Sequence, residues 1–288
     1  MTNIMQQLKD ILMGKFKSRT QLLIYGAVML LTFSAFMLSA WLTFNHNIWV
    51  TTGSKERYYA PWEYTFSKLG SFDAECNPHF FLLFSACLWS LVAFDIPLTF
   101  FMHRHNAIIS KPGAIVSSVF YVIGWLGIFL DGCFCSSHRK IGNSNVEFMS
   151  IHIKVSGAGM GGFAIALFNN AVLMFRDRFT WVKKVKWANH SGRNLYKCHG
   201  HVFAAAAIMA VILIVSIICL NLDIKVEKPW MKYVIGGEIQ ENICICGLIL
   251  TMVWNAMVMP VEIPTFKAVE ETQQLIMRDI NTENKNLA

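Results

Sequence analysis

Charged residues are scarce in this chain. Asp, Glu, Lys and Arg make up 15% of its 288 residues, whereas hydrophobic residues make up 55%. Soluble domains carry about 25% charged residues, so this balance excludes an ordinary soluble domain. The net charge of +7 does not indicate a nucleic-acid partner, because the Lys and Arg residues lie between apolar runs rather than on one basic face.

Short catalytic and metal-binding motifs are also missing. The sequence contains no P-loop, no G-x-S-x-G elbow and no H-E-x-x-H, which are signatures of nucleotide binding, serine hydrolysis and zinc proteolysis. It contains no C-x-x-C either, which excludes a common spacing of structural zinc ligands. Ser67, Ser156 and Ser191 could act as nucleophiles only if the fold placed a His beside them.

Six long apolar runs divide the chain instead. A transmembrane helix needs about 20 predominantly apolar residues, and each run approaches or exceeds that length. The sequence therefore predicts an all-α, polytopic transmembrane bundle of six helices over residues 21–263, with an interfacial segment at 1–20 and a tail at 264–288. The predicted spans are 21–43, 79–102, 113–131, 151–174, 199–221 and 243–263.

The segments between the spans alternate in charge. One set contains 13 basic and 2 acidic residues, and the other contains 8 basic and 10 acidic residues. Short cytoplasmic loops accumulate Lys and Arg, so we expect the first set, and with it the N- and C-termini, to be cytoplasmic. The first set is 1–20, 103–112 and 175–198, and the second is 45–77, 131–150 and 222–242.

The largest basic cluster lies between the fourth and fifth spans and includes Trp181 and Trp187. It is either an ordinary positive-inside loop or an amphipathic segment on an anionic inner leaflet, where each basic residue contributes about 1 kcal/mol. Near the N-terminus, Ile4, Leu8 and Leu12 recur at helical spacing, which predicts a short interfacial helix. The inner-leaflet candidates are Arg176, Arg178, Lys183, Lys184, Lys186 and Arg193.

The predicted outer loop, 45–77, is rich in aromatic residues, which favours a folded cap at the headgroup level. The β-branched residues within 50–52 predict a short strand or hairpin there. An oxidising compartment would permit a disulfide on this side. We predict that Cys76 pairs with Cys133 or Cys135, since the latter two are too close in sequence to pair with each other.

Polar residues from several helix ends meet at the predicted outer side. Imidazoles and carboxylates can bind zinc or form an acid/base pair, so a metal-dependent lipid hydrolase embedded in the membrane is one hypothesis. The alternative is that these residues are solvated helix ends. Haem is disfavoured, because His199 and His201 lie at a helix end rather than deep between two helices. The metal candidates are His79, Asp131, His152 and Glu241.

Asp95 lies well inside an apolar run, where a charged side chain is costly and often functional. One interpretation is a proton or cation relay that also uses Glu262, which would make the protein a transporter. The interpretation that the sequence favours is structural: an acid in the inner half of the span, beside Pro97, paired with a cytoplasmic base.

The fourth span carries Gly157, Gly159, Gly161 and Gly162. Small residues let transmembrane helices approach closely. We therefore predict that the fourth span is the central packing helix and that the fifth span, with alanines at 204–207, is its neighbour.

Three short motifs resemble one family of membrane proteins. Residues 67–70 (Ser-Lys-Leu-Gly), followed by Asn-Pro at 77–78, are similar to the first outer loop of the DRAM-like, FGF-receptor-activating-protein family and its prokaryotic relatives. Residues 124–131 (Gly-Trp-Leu-Gly-Ile-Phe-Leu-Asp) resemble its Gly-x-x-Gly-x-Phe-x-Asp motif, and His152 matches a His that opens its fourth span. The resemblance covers roughly 21–263 and includes Trp254 in the last span.

This resemblance implies a lipid-related or trafficking-related membrane protein without an agreed catalytic mechanism. It adds Ser67 and Asn77 to the outer polar cluster, where we expect Asp131 to accept a hydrogen bond from His152. We therefore predict an integral, multi-pass protein of the plasma membrane or an endomembrane. It binds membrane lipids or a membrane-protein partner, including a second copy of itself, without established catalysis.

Overall fold

The computed structural model describes residues 2–53, 59, 66–71, 81–134, 136–137, 140–176, 195–221 and 237–261. Within these residues the chain forms seven α-helices and one short 3-10 helix, Phe66–Gly70, and no β-strand. The all-α prediction is therefore confirmed for the described part of the chain. The helices are α1 Thr2–Leu12, α2 Arg19–Thr52, α3 Phe81–Ile109, α4 Lys111–Cys133, α5 Phe148–Arg176, α6 Leu195–Asn221 and α7 Gly237–Val258.

Four helices, α2 to α5, are long and apolar enough to cross a membrane. The helices α6 and α7 contain shorter apolar stretches, Gly200–Val215 and Asn242–Val258. Large apolar side chains also cover the outside of the bundle: Leu31 on α2 is 70% exposed and Ile208 on α6 is 62% exposed. Helices that are apolar all round belong in an apolar environment, so this surface is consistent with an integral membrane protein.

Several helices extend beyond the apolar runs from which they were predicted. The helix α2 continues to Thr52, so the first eight residues of the predicted outer loop are helical. The strand or hairpin expected within 50–52 is wrong, because the α2 hydrogen bonds continue until Gly53, whose φ of 65° ends the helix. The helix α3 continues to Ile109 rather than residue 102.

The helix α5 packs against α4 on one side and α6 on the other, which confirms the neighbour predicted for the glycine-rich span. Its contact with α4 is backbone to backbone. A Cβ atom added to Gly127 would lie 2.3 Å from the Cα of Gly159, and one added to Gly162 would lie 2.7 Å from the backbone N of Gly124. Gly157 faces open space instead, so only one glycine stripe makes this contact.

The remaining packing follows chain order from α2 to α7, and α7 returns to contact α3 and α2. The helix α1 lies beside α3, with the Arg104 guanidinium donating to the Gly14 carbonyl at 3.3 Å. Gly14 has a φ of 65°, and a Cβ there would lie 2.4 Å from the backbone N of Phe101. On the free side of α1, Ile4 and Leu8 are exposed, as expected for an interfacial helix.

Candidate functional site

Asp131 and His152 are in contact where α4 ends and α5 begins. The His152 Nδ1 lies 2.8 Å from the Asp131 Oδ1 and 2.9 Å from the Phe134 carbonyl oxygen. A carbonyl oxygen only accepts hydrogen bonds, so the Nδ1 carries the proton. Both side chains are buried. The pair therefore fixes the connection between the two helices at this end of the bundle.

Ser156 completes this arrangement from the next turn of α5. Its hydroxyl donates to the Asp131 carboxylate and lies 2.8 Å from the His152 carbonyl oxygen. The three residues form a hydrogen-bonded clamp, in which the Asp131 carboxylate accepts from both His152 and Ser156.

The other predicted members of the outer cluster are only partly described. Ser67 is buried in the 3-10 helix, which packs against α3. Asn77, His79 and the side chain of Glu241 lie outside the described residues. Within the described part of the chain, no group of three His, Cys, Asp or Glu side chains could hold a metal ion. The zinc site therefore stays a prediction.

The inner-leaflet and disulfide predictions also fall largely outside the described residues. Arg176 ends α5 and is exposed, whereas the other basic candidates, Arg178, Lys183, Lys184, Lys186 and Arg193, are not described. Cys133 is exposed, whereas Cys76, its predicted partner, and Cys135, the alternative partner of Cys76, are not described. Both predictions remain untested.

Asp95 differs most from its expected setting. It lies at the midpoint of α3, 14 residues from Phe81 and 14 from Ile109, and is only 2% exposed. Its Oδ2 accepts a hydrogen bond from the Trp125 indole N–H at 2.6 Å and a longer one from the Thr99 hydroxyl at 3.5 Å. The pairing with a cytoplasmic base is therefore wrong, because the longer helix places the carboxylate at the centre of the bundle.

Two cavities meet at Asp95. The first, called the cleft below, lies between α7 and the neighbouring faces of α3, α4 and α5, and its lining is apolar except for Asp95. The centre of a water-sized group can occupy a volume of about 20 Å³ inside the cleft. A volume of this size holds one or two such groups. Apolar residues that line it include Leu91, Ile128, Met160, Phe163, Leu248 and Met252.

The second cavity, called the chamber below, lies between α3, α4 and α7. Four of its seven lining residues are polar: Asp95, Thr99, Tyr121 and Asn255. It shares Asp95 and Met252 with the cleft. About 10 Å³ admits the centre of a water-sized group, which is room for about one. An apolar and a polar cavity therefore adjoin at the same carboxylate.

A set of hydrogen bonds continues from the chamber between α3, α4 and α5. The Asn170 side chain donates to the Tyr121 hydroxyl at 2.9 Å and accepts from Asn106 and from Ser117, each at 2.8 Å. Asn169 donates to the same Ser117 hydroxyl at 2.6 Å. These bonds fix the orientation of Tyr121 at the wall of the chamber.

Sequence reasoning singled out Asp95 but missed Trp125, Thr99 and Asn255 around it. Thr99 could have been found, because it lies four residues after Asp95 on the same face of one helix. The other two are on different helices, and their contribution depends on how each helix is rotated in the bundle. No family model, curated protein or solved structure matches the chain, so the resemblance to the DRAM-like family stays a prediction.

Proposed function

We propose that this chain is a six-span membrane protein that binds a membrane lipid, with the end of an acyl chain held in the cleft. In this proposal α6 and α7 cross the bilayer together with α2 to α5, and both termini are cytoplasmic. The observation that carries the binding function is the cleft itself, an apolar recess among helices whose outer surfaces are also apolar. Binding of this kind needs no catalytic group.

The position of α7 explains why a cleft exists there. This helix packs chiefly against α6, with smaller contacts to α3 and α2, whereas α4 and α5 are not among its main neighbours. Ile245, Leu248 and Met252 on α7 therefore face Trp125 and Phe163 across the cleft. A narrow recess with apolar walls favours a slim methylene chain over a polar headgroup.

Filling the cleft tests the proposal. Leu248 is 4% exposed and lines the cleft, whereas Leu250, on the same helix, is 60% exposed on the outside. We expect Leu248→Trp to abolish retention of lipid in native mass spectrometry after mild detergent extraction, because the larger ring occupies the space of the acyl chain. Leu250→Trp should retain lipid as the unmodified protein does.

A second measurement separates loss of binding from loss of folding. A lipid with a photoreactive diazirine near the end of its acyl chain should label Ile128 on α4 or Met160 on α5 in the unmodified protein. Labelling confined to the outer faces of the helices, or an unmodified protein that carries no lipid, would overturn the proposal. Equal retention of lipid by a folded Leu248→Trp variant would do so as well.

A further inference from the structure

One wall of the chamber carries a buried amide that the described residues leave unsatisfied. Asn255 on α7 is 1% exposed, and neither the nitrogen nor the oxygen of its side-chain amide has a hydrogen-bond partner among those residues. The side chain lines the chamber. A buried amide without partners is strongly unfavourable, so a species in the cavity that binds this amide would offset the cost.

Asp95 adds a negative charge to the same wall when it is ionised. Both groups that hydrogen-bond to it, the Trp125 N–H and the Thr99 hydroxyl, donate to its Oδ2, which is compatible with an ionised carboxylate. Within the described residues it forms no ion pair with Lys, Arg or His. A buried carboxylate without a compensating charge is costly, so a cation in the chamber would offset both this charge and the unsatisfied amide.

The oxygen atoms around the chamber identify the class of cation. The carboxylate of Asp95, the hydroxyls of Thr99 and Tyr121 and the amide oxygen of Asn255 are all hard donors, which suit cations that prefer oxygen ligands. A single carboxylate balances one positive charge, whereas Ca²⁺ sites commonly use several carboxylates. The chamber has room for about one water-sized species.

We propose that the chamber binds one Na⁺ ion, held by Asp95, Thr99, Tyr121 and Asn255. The ion neutralises the carboxylate and satisfies the amide oxygen of Asn255. A space that admits a water-sized group accepts either Na⁺ or the larger K⁺, and a comparison of NaCl with KCl distinguishes them. This proposal does not rest on lipid binding in the cleft, because its ligands lie on the polar side of Asp95. The competing occupant is a water molecule, which would bind the Asn255 amide but would not balance the charge of the Asp95 carboxylate.

The thermal stability of the purified full-length protein distinguishes these occupants. At constant ionic strength, replacing choline chloride with NaCl should raise Tm in a saturable way. At a Na⁺ concentration ten times Kd, the ratio of folded to unfolded protein should rise about 11-fold. Titration of the protein with NaCl, followed by broadening of the ²³Na resonance, measures the same binding directly.

Two variants make the test specific. We expect Asn255→Leu, which is close in volume and removes the unsatisfied amide, to keep or raise Tm in choline chloride and to lose the response to Na⁺. We expect Asp95→Asn to lose the response as well. As a control, Asp10→Asn removes a carboxylate from α1, away from the chamber, and should respond like the unmodified protein.

The remaining outcomes all count against the proposal. A Tm that is the same in NaCl and choline chloride would identify the occupant as water or the carboxylate as protonated. An equal rise in KCl would overturn the assignment to Na⁺. A response to Na⁺ that persists in folded Asp95→Asn and Asn255→Leu would place the ion elsewhere. The lipid measurements on Leu248→Trp test only lipid binding, so their outcome does not depend on any of these results.

Discussion

The Asp131 carboxylate joins two helices through two donors on α5. The His152 N–H and the Ser156 hydroxyl both reach its Oδ1, and the ring of His152 also bonds to the Phe134 carbonyl oxygen. Charge-assisted hydrogen bonds of this kind are stronger than neutral ones. The clamp therefore stabilises the α4–α5 connection whatever else the outer cluster binds.

Removing the imidazole should be strongly destabilising. His152→Ala leaves the buried Asp131 with one donor fewer, and a buried group that loses a hydrogen-bond partner costs about 1–3 kcal/mol, more when that group is charged. Thermal unfolding in detergent should show this as a large fall in Tm. Lys154→Ala is the matched control, because Lys154 is exposed two residues along the same helix. A similar Tm for the two variants would contradict a structural role for the pair.

At the level of single residues, the sequence predicted the pair Asp131–His152 but not the setting of Asp95. Asp131 lies near the end of one helix and His152 near the start of the next, so two consecutive antiparallel helices place them at the same end of the bundle. Asp95 and Trp125 meet only because α3 and α4 are rotated to face each other, and no local pattern specifies that rotation. The unsatisfied Asn255 depends in the same way on the rotation of α7.

Among the helices, α4 and α5 form the tightest pair, because two glycines on each bring the backbones together. Van der Waals packing of small residues is a main source of helix association in a membrane, where burial from water contributes little. This pairing also places Trp125 and Phe163 at the wall of the cleft. The glycine contact thus positions one side of the proposed lipid site.

A larger side chain on the contact stripe should separate the two helices. We expect Gly127→Leu to lower stability by at least about 1–3 kcal/mol, the usual cost of overpacking, because its Cβ meets backbone rather than a movable side chain. The matched control is Gly157→Leu, where nothing lies within 4 Å. Tm and the yield of monodisperse protein report the difference, and equal values for both variants would refute the assigned interface.

Hydropathy predicted that these helices exist but misplaced several of their ends. The helix α2 runs on through His46 and Asn47, and α3 runs on through His103 and Arg104. Polar residues stop an apolar run, but they do not stop backbone hydrogen bonding. The stop signal for α2 is Gly53, which a hydropathy window does not detect.

At the scale of the whole molecule, the bundle encloses the cleft and the chamber because α7 packs against α3 and α2. The contacts of α7 with α3 and α2 place Met252 and Asn255 beside Asp95. Sequence reasoning predicted that the described part of the chain is helical and that the fourth and fifth predicted spans are neighbours. It did not predict this closure, which depends on pairings between segments more than a hundred residues apart.

The proposed orientation predicts which residues an impermeant reagent can reach. Lys111 and Asn143 are both exposed, Lys111 at the start of α4 and Asn143 beyond its end. In a background with Cys76, Cys133 and Cys135 replaced by Ser, a membrane-impermeant maleimide should label Asn143→Cys on intact cells. It should label Lys111→Cys only after permeabilisation.

The reverse pattern would show that the bundle is inserted the other way round. Labelling of both positions on intact cells would mean that α4 does not cross the membrane. The same reagent applied to cysteines introduced at Thr20 and Val261 would then test whether the two ends of the helical region lie on the same side.

The length of α2 has a consequence for how the molecule sits in a bilayer. Its 34 residues span about 51 Å at a rise of about 1.5 Å per residue, against a hydrocarbon thickness of about 30 Å. A surplus of this size is accommodated by tilting or by projecting one end into the headgroups and beyond. Tyr59 is hydrogen-bonded along the last turns, to Asn45 at 2.7 Å and Trp41 at 3.3 Å. A bilayer of different thickness would therefore move Tyr59 together with α2.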